Sequence, residues 1–337
     1  MKIKLLLATL ILAILTSCSS TKEMQVLVTR PAVFELPKDT KRIVLVNRSK
    51  GNALTILEGV LTGEIPGTDK VQSEQCMSGL QHTLNLNKNI EFTRHTVRLS
   101  SDRGSSTGFG NPLDWNTVNT LSKQYDADLL LVLEYFDTDY FVRDLVGSNA
   151  TSNVYVRGTA SAKAGFRLYD PIKSSILYEK TFSSSKNYTE FALTRLLALA
   201  KLTKGTEAVN DVSFTIGQNF AKRLIKYDVW EDRTMIKGKS GSESAKAERF
   251  VLTNNWEKGV ENWLNAYKNT SSETEKGNIA YNLALGYEVL GDLQAAKKWI
   301  TTSFVEHQNK KAESYSRTIS NRIATEGILE NQSKNSH

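Results

Sequence analysis

The order of apolar and polar positions predicts an α/β layer in the first two thirds of the chain. The runs Arg42–Asn47 and Ala127–Glu134 are almost continuously apolar, which is typical of strands buried on both faces. Between them, the apolar residues of Asp69–Asn87 recur at three- and four-residue steps and predict a helix, Ile90–Val97 predicts a strand, and Asp114 can cap a second helix. This order predicts a mixed sheet flanked by helices.

From Asn153 to Asp170 the pattern changes to strict alternation of apolar and polar residues. One face of this strand is predicted to be apolar and the other, which carries Arg167 and Tyr169, to face water. Together with Ser175–Phe182 the segment predicts a long antiparallel hairpin. Two helices that would cover the sheet follow, at Thr189–Leu202 and Glu207–Tyr227.

The last third of the chain carries a helical repeat. Residues 237–244, KGKSGSES, cannot bury apolar surface and predict a flexible linker before it. Ile279–Ile300, with its turn at Gly291-Asp292, resembles a tetratricopeptide repeat, and a partial copy lies upstream at an offset of 37 residues around Trp256. The segment Ala312–Ile328 would cap a small all-α tetratricopeptide-like helical array.

Tetratricopeptide arrays commonly bind peptides in a concave groove, and four residues are candidates for lining one: Tyr281, Asn282, Tyr287 and Trp299. The alternative is that the aromatic residues fill the core between helices. We favour that alternative, because a small array needs every apolar contact.

The first 17 residues have the pattern of a signal peptide: a short cationic start, an apolar run and then small residues. The apolar run is too short to span a bilayer. Its end, Leu15-Thr16-Ser17-Cys18, resembles the lipobox of bacterial lipoproteins, which implies that Cys18 is acylated and anchors the chain to a membrane. Ser19 after the cysteine implies the outer membrane. The alternative is a plain secretory leader with an incidental cysteine.

Composition and motifs do not predict an enzyme. The chain has 337 residues, 40% hydrophobic, and a net charge of +7, a surplus too mild to predict nucleic acid binding. With Cys18 acylated, Cys76 is the remaining thiol, and we interpret it as a buried helical residue rather than a nucleophile. Neither a metal-ligand spacing, nor a nucleophile elbow, nor a nucleotide-binding motif occurs, so we predict no cofactor and no metal site.

One crevice remains a candidate for ligand binding. The carboxyl ends of strands in an α/β sheet form the usual crevice, and here they would bring together Asn47, Arg48 and Glu134. The alternative, which we favour, is that Glu134 pairs with Arg48 or faces water.

The α/β part resembles the domain shared by the amino-terminal region of TolB, the curli-secretion lipoprotein and lipoprotein activators of penicillin-binding proteins. The resemblance rests on Arg42–Arg48, on Ala127–Leu133 and on Phe166–Asp170 followed by Leu177-Tyr178-Glu179. Over its whole length the chain resembles an uncharacterised family of Bacteroidota outer-membrane lipoproteins with carboxy-terminal tetratricopeptide-like repeats.

The sequence therefore predicts the following segments: a signal peptide (1–17), a lipidated cysteine and tether (18–23), an α/β domain (24–236) that starts with a strand at Gln25–Phe34, a linker (237–244), a helical domain (245–330) and a polar tail (331–337). We predict a lipid-anchored envelope protein that acts as a non-enzymatic adaptor for a partner protein. The alternatives are a component of a secretion or envelope-assembly complex, and a glycan- or small-molecule-binding lipoprotein that uses the crevice.

Overall fold

The computed structural model describes residues 21–50, 68–99, 108–145, 154–202 and 205–335. Its strands are β1 (Thr21–Arg30), β2 (Arg42–Asn47), β3 (Glu91–Arg94), β4 (Leu129–Leu145), β5 (Val154–Asp170), β6 (Ser175–Ala192) and β7 (Tyr227–Ile236). Its helices are α1 (Thr68–Leu84), α2 (Trp115–Tyr125), α3 (Arg195–Lys201), α4 (Gly205–Ala221), α5 (Glu243–Leu252), α6 (Trp256–Asn269), α7 (Glu273–Val289), α8 (Leu293–Thr301) and α9 (Lys311–Asn335), with a π-helical turn at Thr302–Glu306.

The chain forms two compact units. The described residues between Pro31 and Tyr227 make up the first, which we call the α/β unit. The described residues 21–30, together with 228–335, make up the second, which we call the helical unit. The α/β unit is thus inserted, along the chain, between two segments of the helical unit.

Five strands in the order β3-β2-β4-β5-β6 form the sheet of the α/β unit. Strand β2 runs parallel to β3 and β4, whereas the pairs β4–β5 and β5–β6 are antiparallel. The sheet is therefore mixed. Its flanking helices, together with the helical array that follows, confirm the predicted fold class.

Helices cover both faces of this sheet because the side chains of β2 alternate between two cores. Ile43 and Leu45 pack with residues of α1 and α4, whereas Val44 and Val46 pack with residues of α2. The predicted cap at Asp114 is confirmed, since its carboxylate accepts a hydrogen bond from the Thr117 backbone N–H at 2.9 Å. This double coverage explains the unbroken apolar run in the sequence.

Helices α1 and α4 approach so closely that each carries a glycine at the contact. A Cβ atom on Gly79 would lie 2.1 Å from the carbonyl oxygen of Phe214, and one on Gly217 would lie 1.9 Å from the carbonyl oxygen of Cys76. Both obstacles are backbone atoms that no side-chain rotation can remove. Cys76 is buried at this crossing, as predicted, and burial raises the pKa of its thiol.

We expect Gly217→Ala to lower the free energy of unfolding of the α/β unit by about 1–3 kcal/mol, because the two helices must move apart. Denaturant titration followed by circular dichroism measures this change. The matched control is Gly327→Ala in α9, where an added Cβ meets nothing within 4 Å. Because alanine favours a helix over glycine, the control should be neutral or slightly stabilising. Equal stability of the Gly217 variant and the unmodified chain would contradict the account.

Strands β4, β5 and β6 continue well past the parallel part of the sheet. Strand β4 pairs with β2 only from Leu129 to Leu133 but runs beside β5 as far as Leu145. The predicted helix at Thr189–Leu202 is wrong in its first residues, because Thr189–Ala192 belong to β6 and pair with β5. The helix begins only at Arg195.

The helical unit contains the pairs α5–α6 and α7–α8, followed by α9. Gly291, with a φ of +83°, forms the predicted turn between α7 and α8. Strands β1 and β7 form a two-stranded sheet. The side chains of Val26, Val28 and Met235 pack into the core of the helices, so the sheet is an integral layer of this unit.

The sequence places the α/β domain at 24–236, but in the structure residues 21–30 and 228–236 belong to the helical unit. The predicted helix Glu207–Tyr227 ends at Ala221, and β7 follows it. This strand escaped prediction because it buries a charged side chain, that of Arg233, on its inner face.

The segment predicted as a flexible linker, 237–244, belongs to the helical unit, where it joins β7 to α5 and includes the first two residues of α5. The backbone N–H of Gly238 donates to the carboxylate of Glu248, and the hydroxyl of Ser242 caps α5 by accepting from the Ala245 N–H at 3.1 Å. Helix α9 continues to Asn335, through most of the predicted polar tail.

Candidate functional site

The structure brings together Arg48, directly after β2, and Glu134, directly after the part of β4 that pairs with β2. The guanidinium Nη1 of Arg48 lies 3.1 Å from Glu134 Oε2, and both side chains are more than nine-tenths buried. Glu134 thus forms an internal ion pair, which is the arrangement favoured from the sequence over an open crevice.

Asn47, the third predicted crevice residue, fastens the end of β2 to α1. Its amide nitrogen donates to Ser73 Oγ at 3.2 Å and to Glu74 Oε1 at 2.6 Å. Its amide oxygen accepts from the backbone N–H and the hydroxyl of Ser49. Both ends of the amide are therefore used within the protein.

Two residues of β5, Arg167 and Tyr169, complete this buried charge cluster. The Tyr169 hydroxyl donates to Glu134 Oε1 at 2.5 Å, and Arg167 Nη1 lies 3.7 Å from Glu134 Oε2. The prediction that both residues face water is wrong: Tyr169 contacts Trp115 of α2 edge-on, at a ring distance of 5.9 Å. The pairing of β5 with β4 brings them to Glu134, and no local sequence pattern reveals that pairing.

The cluster also holds the chain between residues 108 and 113. Arg48 Nη2 donates to the Asn111 carbonyl at 3.1 Å, and Arg167 Nη1 donates to the Gly110 carbonyl at 3.0 Å. The Arg167 guanidinium lies 4.6 Å from the ring centre of Phe109. These contacts give the buried arginines a structural role.

Burial dominates the electrostatics of this cluster. Burial raises the pKa of Glu134, because desolvation outweighs the hydrogen bond from Tyr169 and the charges of Arg48 and Arg167. Burial and the nearby Glu134 carboxylate raise the pKa of the Tyr169 hydroxyl. The tyrosine hydroxyl and the two guanidiniums thus compensate the buried carboxylate within one network.

One residue of the cluster has donors that it does not use. Arg48 Nε and Nη1 are buried and form no hydrogen bond, so the contact of Nη1 with Glu134 is an ion pair only. Buried donors without acceptors are costly.

The candidate groove residues of the helical array lie inside it. Asn282 accepts a hydrogen bond from the Ile236 N–H at 2.9 Å and donates to the Ile236 carbonyl at 2.7 Å, so its side chain extends the pairing of β7. The ring of Tyr281 is buried 5.0 Å from that of Tyr315. The face of α7 that would line a groove is thus covered by the chain's own strand β7.

The other two candidates also contact the core. Tyr287 and Trp299 are partly buried against it, and Trp299 contacts Tyr267 edge-on at 5.0 Å. The four candidates therefore do not form one exposed surface.

A second buried charge cluster, centred on Glu288 of α7, was not predicted. Its carboxylate accepts from Arg233 of β7 at 2.8 and 3.0 Å, from Tyr315 of α9 at 2.5 Å and from Arg322 of α9 at 2.8 Å. The side chain of Glu288 is 0% exposed. It links β7 to two helices, and because its partners are far away in the sequence, no spacing pattern reveals it.

Cys18 lies outside the described residues, which begin at Thr21. In the part of the chain that the structure describes, no helix is both long and apolar enough to cross a membrane. Over the same residues, no group of three or more histidine, cysteine or acidic side chains is placed to hold a metal ion.

Several solved structures are similar to the chain. A neuraminyllactose-binding hemagglutinin homologue from Helicobacter pylori is 16% identical, with a TM-score of 0.30, over 55% of this chain and 81% of that one. The PelC dodecamer from Paraburkholderia phytofirmans is 12% identical, with a TM-score of 0.25, over 60% and 99%. A minor lipoprotein from Acinetobacter baumannii is 12% identical, with a TM-score of 0.25, over 56% and 98%.

No curated protein matches the chain. Residues 245–323 match a family described as a domain of unknown function, DUF6340. Residues 40–235, more than half of the chain, match the model of another domain of unknown function, DUF8603. The chain therefore belongs to the DUF8603 family.

Proposed function

We propose that this protein is anchored by lipid at Cys18 in the cell envelope and acts as a non-enzymatic adaptor that binds partner proteins through its helical unit. The lipobox-like end of the leader, Leu15-Thr16-Ser17-Cys18, supports the anchor, and Ser19 supports an outer-membrane location. Acyl chains, palmitate among them, would hold the body at the membrane surface by burying methylene groups.

The observation that carries the proposal is the position of β1. This strand starts at Thr21, three residues after Cys18, and its Val26 and Val28 pack into the core of the helical unit. Three residues span only about 10 Å. An acylated Cys18 would therefore hold the helical unit close to the membrane, within reach of other envelope proteins.

The binding surface of the array differs from the groove that the sequence suggests, because β7 already covers that face of α7. We place it instead at the turns α5–α6 and α7–α8, where Leu252 and Leu290 are exposed. The interpretation of the array as tetratricopeptide-like supports this choice. Such repeats align their internal turns along one edge, so the two leucines would lie on the same edge.

Site-specific photo-crosslinking in the native host tests the adaptor role. A photo-reactive amino acid at Leu290 should crosslink to a reproducible envelope protein, because this position lies on the proposed binding edge. The matched control is the same amino acid at Ile172, an exposed residue in the β5–β6 turn of the α/β unit. Crosslinking at neither position, or only at Ile172, would contradict binding through the helical unit.

A second candidate function is the binding of an anionic small molecule or glycan beside Arg48, and its two buried donors without acceptors favour this candidate. Thermal shift measurements with a panel of carboxylated sugars test it. A ligand that stabilises the chain, but not an Arg48→Gln variant of otherwise normal fold, would support this function. No shift with any compound would count against it.

A further inference from the structure

The free end of the β4–β5–β6 ribbon carries apolar and basic side chains on its surface. Strand β4 leaves the parallel sheet after Leu133 and continues to Leu145, an extension of roughly 40 Å at the usual rise per residue. We call the end of this ribbon, from Phe141 on β4, Thr159 on β5 and Asn187 on β6 outward, together with α3, the ribbon tip.

One face of the ribbon tip combines aromatic rings with arginines. Tyr155 and Phe191 are opposite one another on β5 and β6, and their rings lie 5.8 Å apart. One step down the ribbon, Arg143 and Arg157 are opposite one another on β4 and β5, and Arg143 also lies 5.0 Å from the ring centre of Phe141. Alternate residues of a strand share a face, so these side chains form one surface.

The two arginines form a like-charge pair without an acidic partner in register. Their neighbour on β6, opposite Arg157, is Thr189, and the row that contains Phe141 continues with Thr159 and Asn187. Like charges directly opposite each other destabilise a sheet. An anionic partner would relieve this repulsion.

The opposite side of the ribbon tip exposes aliphatic side chains. Helix α3 packs onto the ribbon through Ala198 and Leu202. Leu193, Leu196 and Leu197 point away from this contact and are 71%, 77% and 52% exposed. Leu193 precedes α3 and Leu196 and Leu197 lie in its first turn, so the three exposed leucines are grouped at the start of this helix.

We propose that the ribbon tip binds the surface of an anionic phospholipid bilayer. The ribbon tip would meet the bilayer end-on, so that both of its sides make contact. The two arginines on one side would contact headgroup phosphates, and Tyr155 and Phe191, with the leucines on the other side, would enter the boundary between headgroups and acyl chains. Aromatic and aliphatic side chains next to basic ones are the combination that interfacial membrane binding uses. This contact is independent of the acyl anchor, because it lies in the α/β unit.

Vesicle sedimentation with residues 19–337, which lack the leader and Cys18, tests the proposal. This chain should bind vesicles of one part phosphatidylglycerol to three parts phosphatidylethanolamine and bind phosphatidylcholine vesicles far more weakly. The double variant Arg143→Gln/Arg157→Gln should bind the anionic vesicles about thirtyfold more weakly. The double variant Leu193→Ser/Leu196→Ser should lose about tenfold or more on both kinds of vesicle.

Matched controls come from the opposite end of the same hairpin. Lys173→Gln/Lys180→Gln removes the same charge, and Ile172→Ser removes an apolar side chain that is 86% exposed. Both controls should bind like the unmodified chain. Circular dichroism melting of every variant confirms that each is folded.

Three results would overturn the proposal: no preference for anionic vesicles, full binding by either ribbon-tip variant, or an equal loss in the controls. Mass photometry of the same samples tests whether a second copy of the chain, instead of a bilayer, covers the ribbon tip. A dimer that the leucine variant abolishes, without vesicle binding, would assign the surface to a second copy of the chain. Neither outcome depends on Cys18, so this test and that of the lipid anchor can fail separately.

Discussion

Replacing Glu288 by alanine is expected to lower the free energy of unfolding of the helical unit by about 3–5 kcal/mol. The buried carboxylate compensates the charges of Arg233 and Arg322 and accepts a hydrogen bond from the hydroxyl of Tyr315. Its removal leaves two guanidiniums without this partner in an interior where unpaired charges are costly. Because Arg233 lies on β7, the variant should also loosen the two-stranded sheet from the helices.

Tryptophan fluorescence during denaturant titration measures this loss. Four of the five tryptophans report on the helical unit: Trp230, Trp256, Trp263 and Trp299. The control is Glu313→Ala, which removes an exposed partner of Arg317 and should change stability by about 0.5 kcal/mol or less.

The pH dependence separates the charge of Glu288 from its packing. Burial by itself would raise the pKa of Glu288. The hydrogen bonds from Arg233 and Tyr315 and the positive charges of Arg233 and Arg322 outweigh this effect, so the pKa of Glu288 lies below the ordinary 4.5. A carboxyl group with a lowered pKa stabilises the fold above its ordinary pKa and loses this effect as the pH falls through its folded value. The difference in the free energy of unfolding between wild type and Glu288→Ala should therefore be largest at neutral pH and shrink below pH 4.5. A difference that does not change with pH would contradict the claim that the charge of Glu288 stabilises the fold.

Replacing Glu134 by alanine is expected to lower the stability of the α/β unit by about 3 kcal/mol. The substitution leaves the buried Arg48 without its acidic partner, whereas Arg167 keeps Glu179 at 2.5 Å. The loss should fall at the lower end of the range for a broken buried ion pair, because burial of the Glu134 charge is itself unfavourable and raises its pKa.

Hydrogen exchange measured by mass spectrometry locates this effect. In Glu134→Ala, peptides that contain Gly110–Leu113 should exchange faster, because the arginines and Tyr169 of the cluster bind this segment. Glu91→Ala, a change at an exposed glutamate of the same sheet, should leave the exchange unchanged. Unaltered exchange at Gly110–Leu113 in the Glu134 variant would show that the cluster does not hold the segment.

The sequence predicted the parts of the fold that local patterns determine. The apolar run of β2, the helical spacing in α1 and the capping residue Asp114 each act within a few neighbouring residues. Strand β7 and the end of β6 depend instead on partners far away in the chain. A strand such as β7, which buries Arg233 and pairs with β1 some two hundred residues earlier, has no local apolar pattern to reveal it.

The candidate sites follow the same division. The ends of the two apolar runs in β2 and β4 can be located from the sequence, which brings Arg48 and Glu134 together, although β4 itself continues to Leu145. Their additional partner Arg167 comes from an antiparallel neighbour whose register includes a bulge near Glu134. Asn282 was expected in a groove, because its pairing with β7 depends on an element that the sequence did not predict.

Fractionation and crosslinking of the native host, with wild type and Cys18→Ala in parallel, test the lipid-anchored adaptor most directly. Membranes are washed with carbonate to remove peripheral proteins, and proteins crosslinked to the chain are identified by mass spectrometry. The account predicts that wild type stays in the outer membrane with a reproducible partner and that the variant loses both. A variant that stays in the outer membrane, or an anchored wild type without any partner, would contradict it.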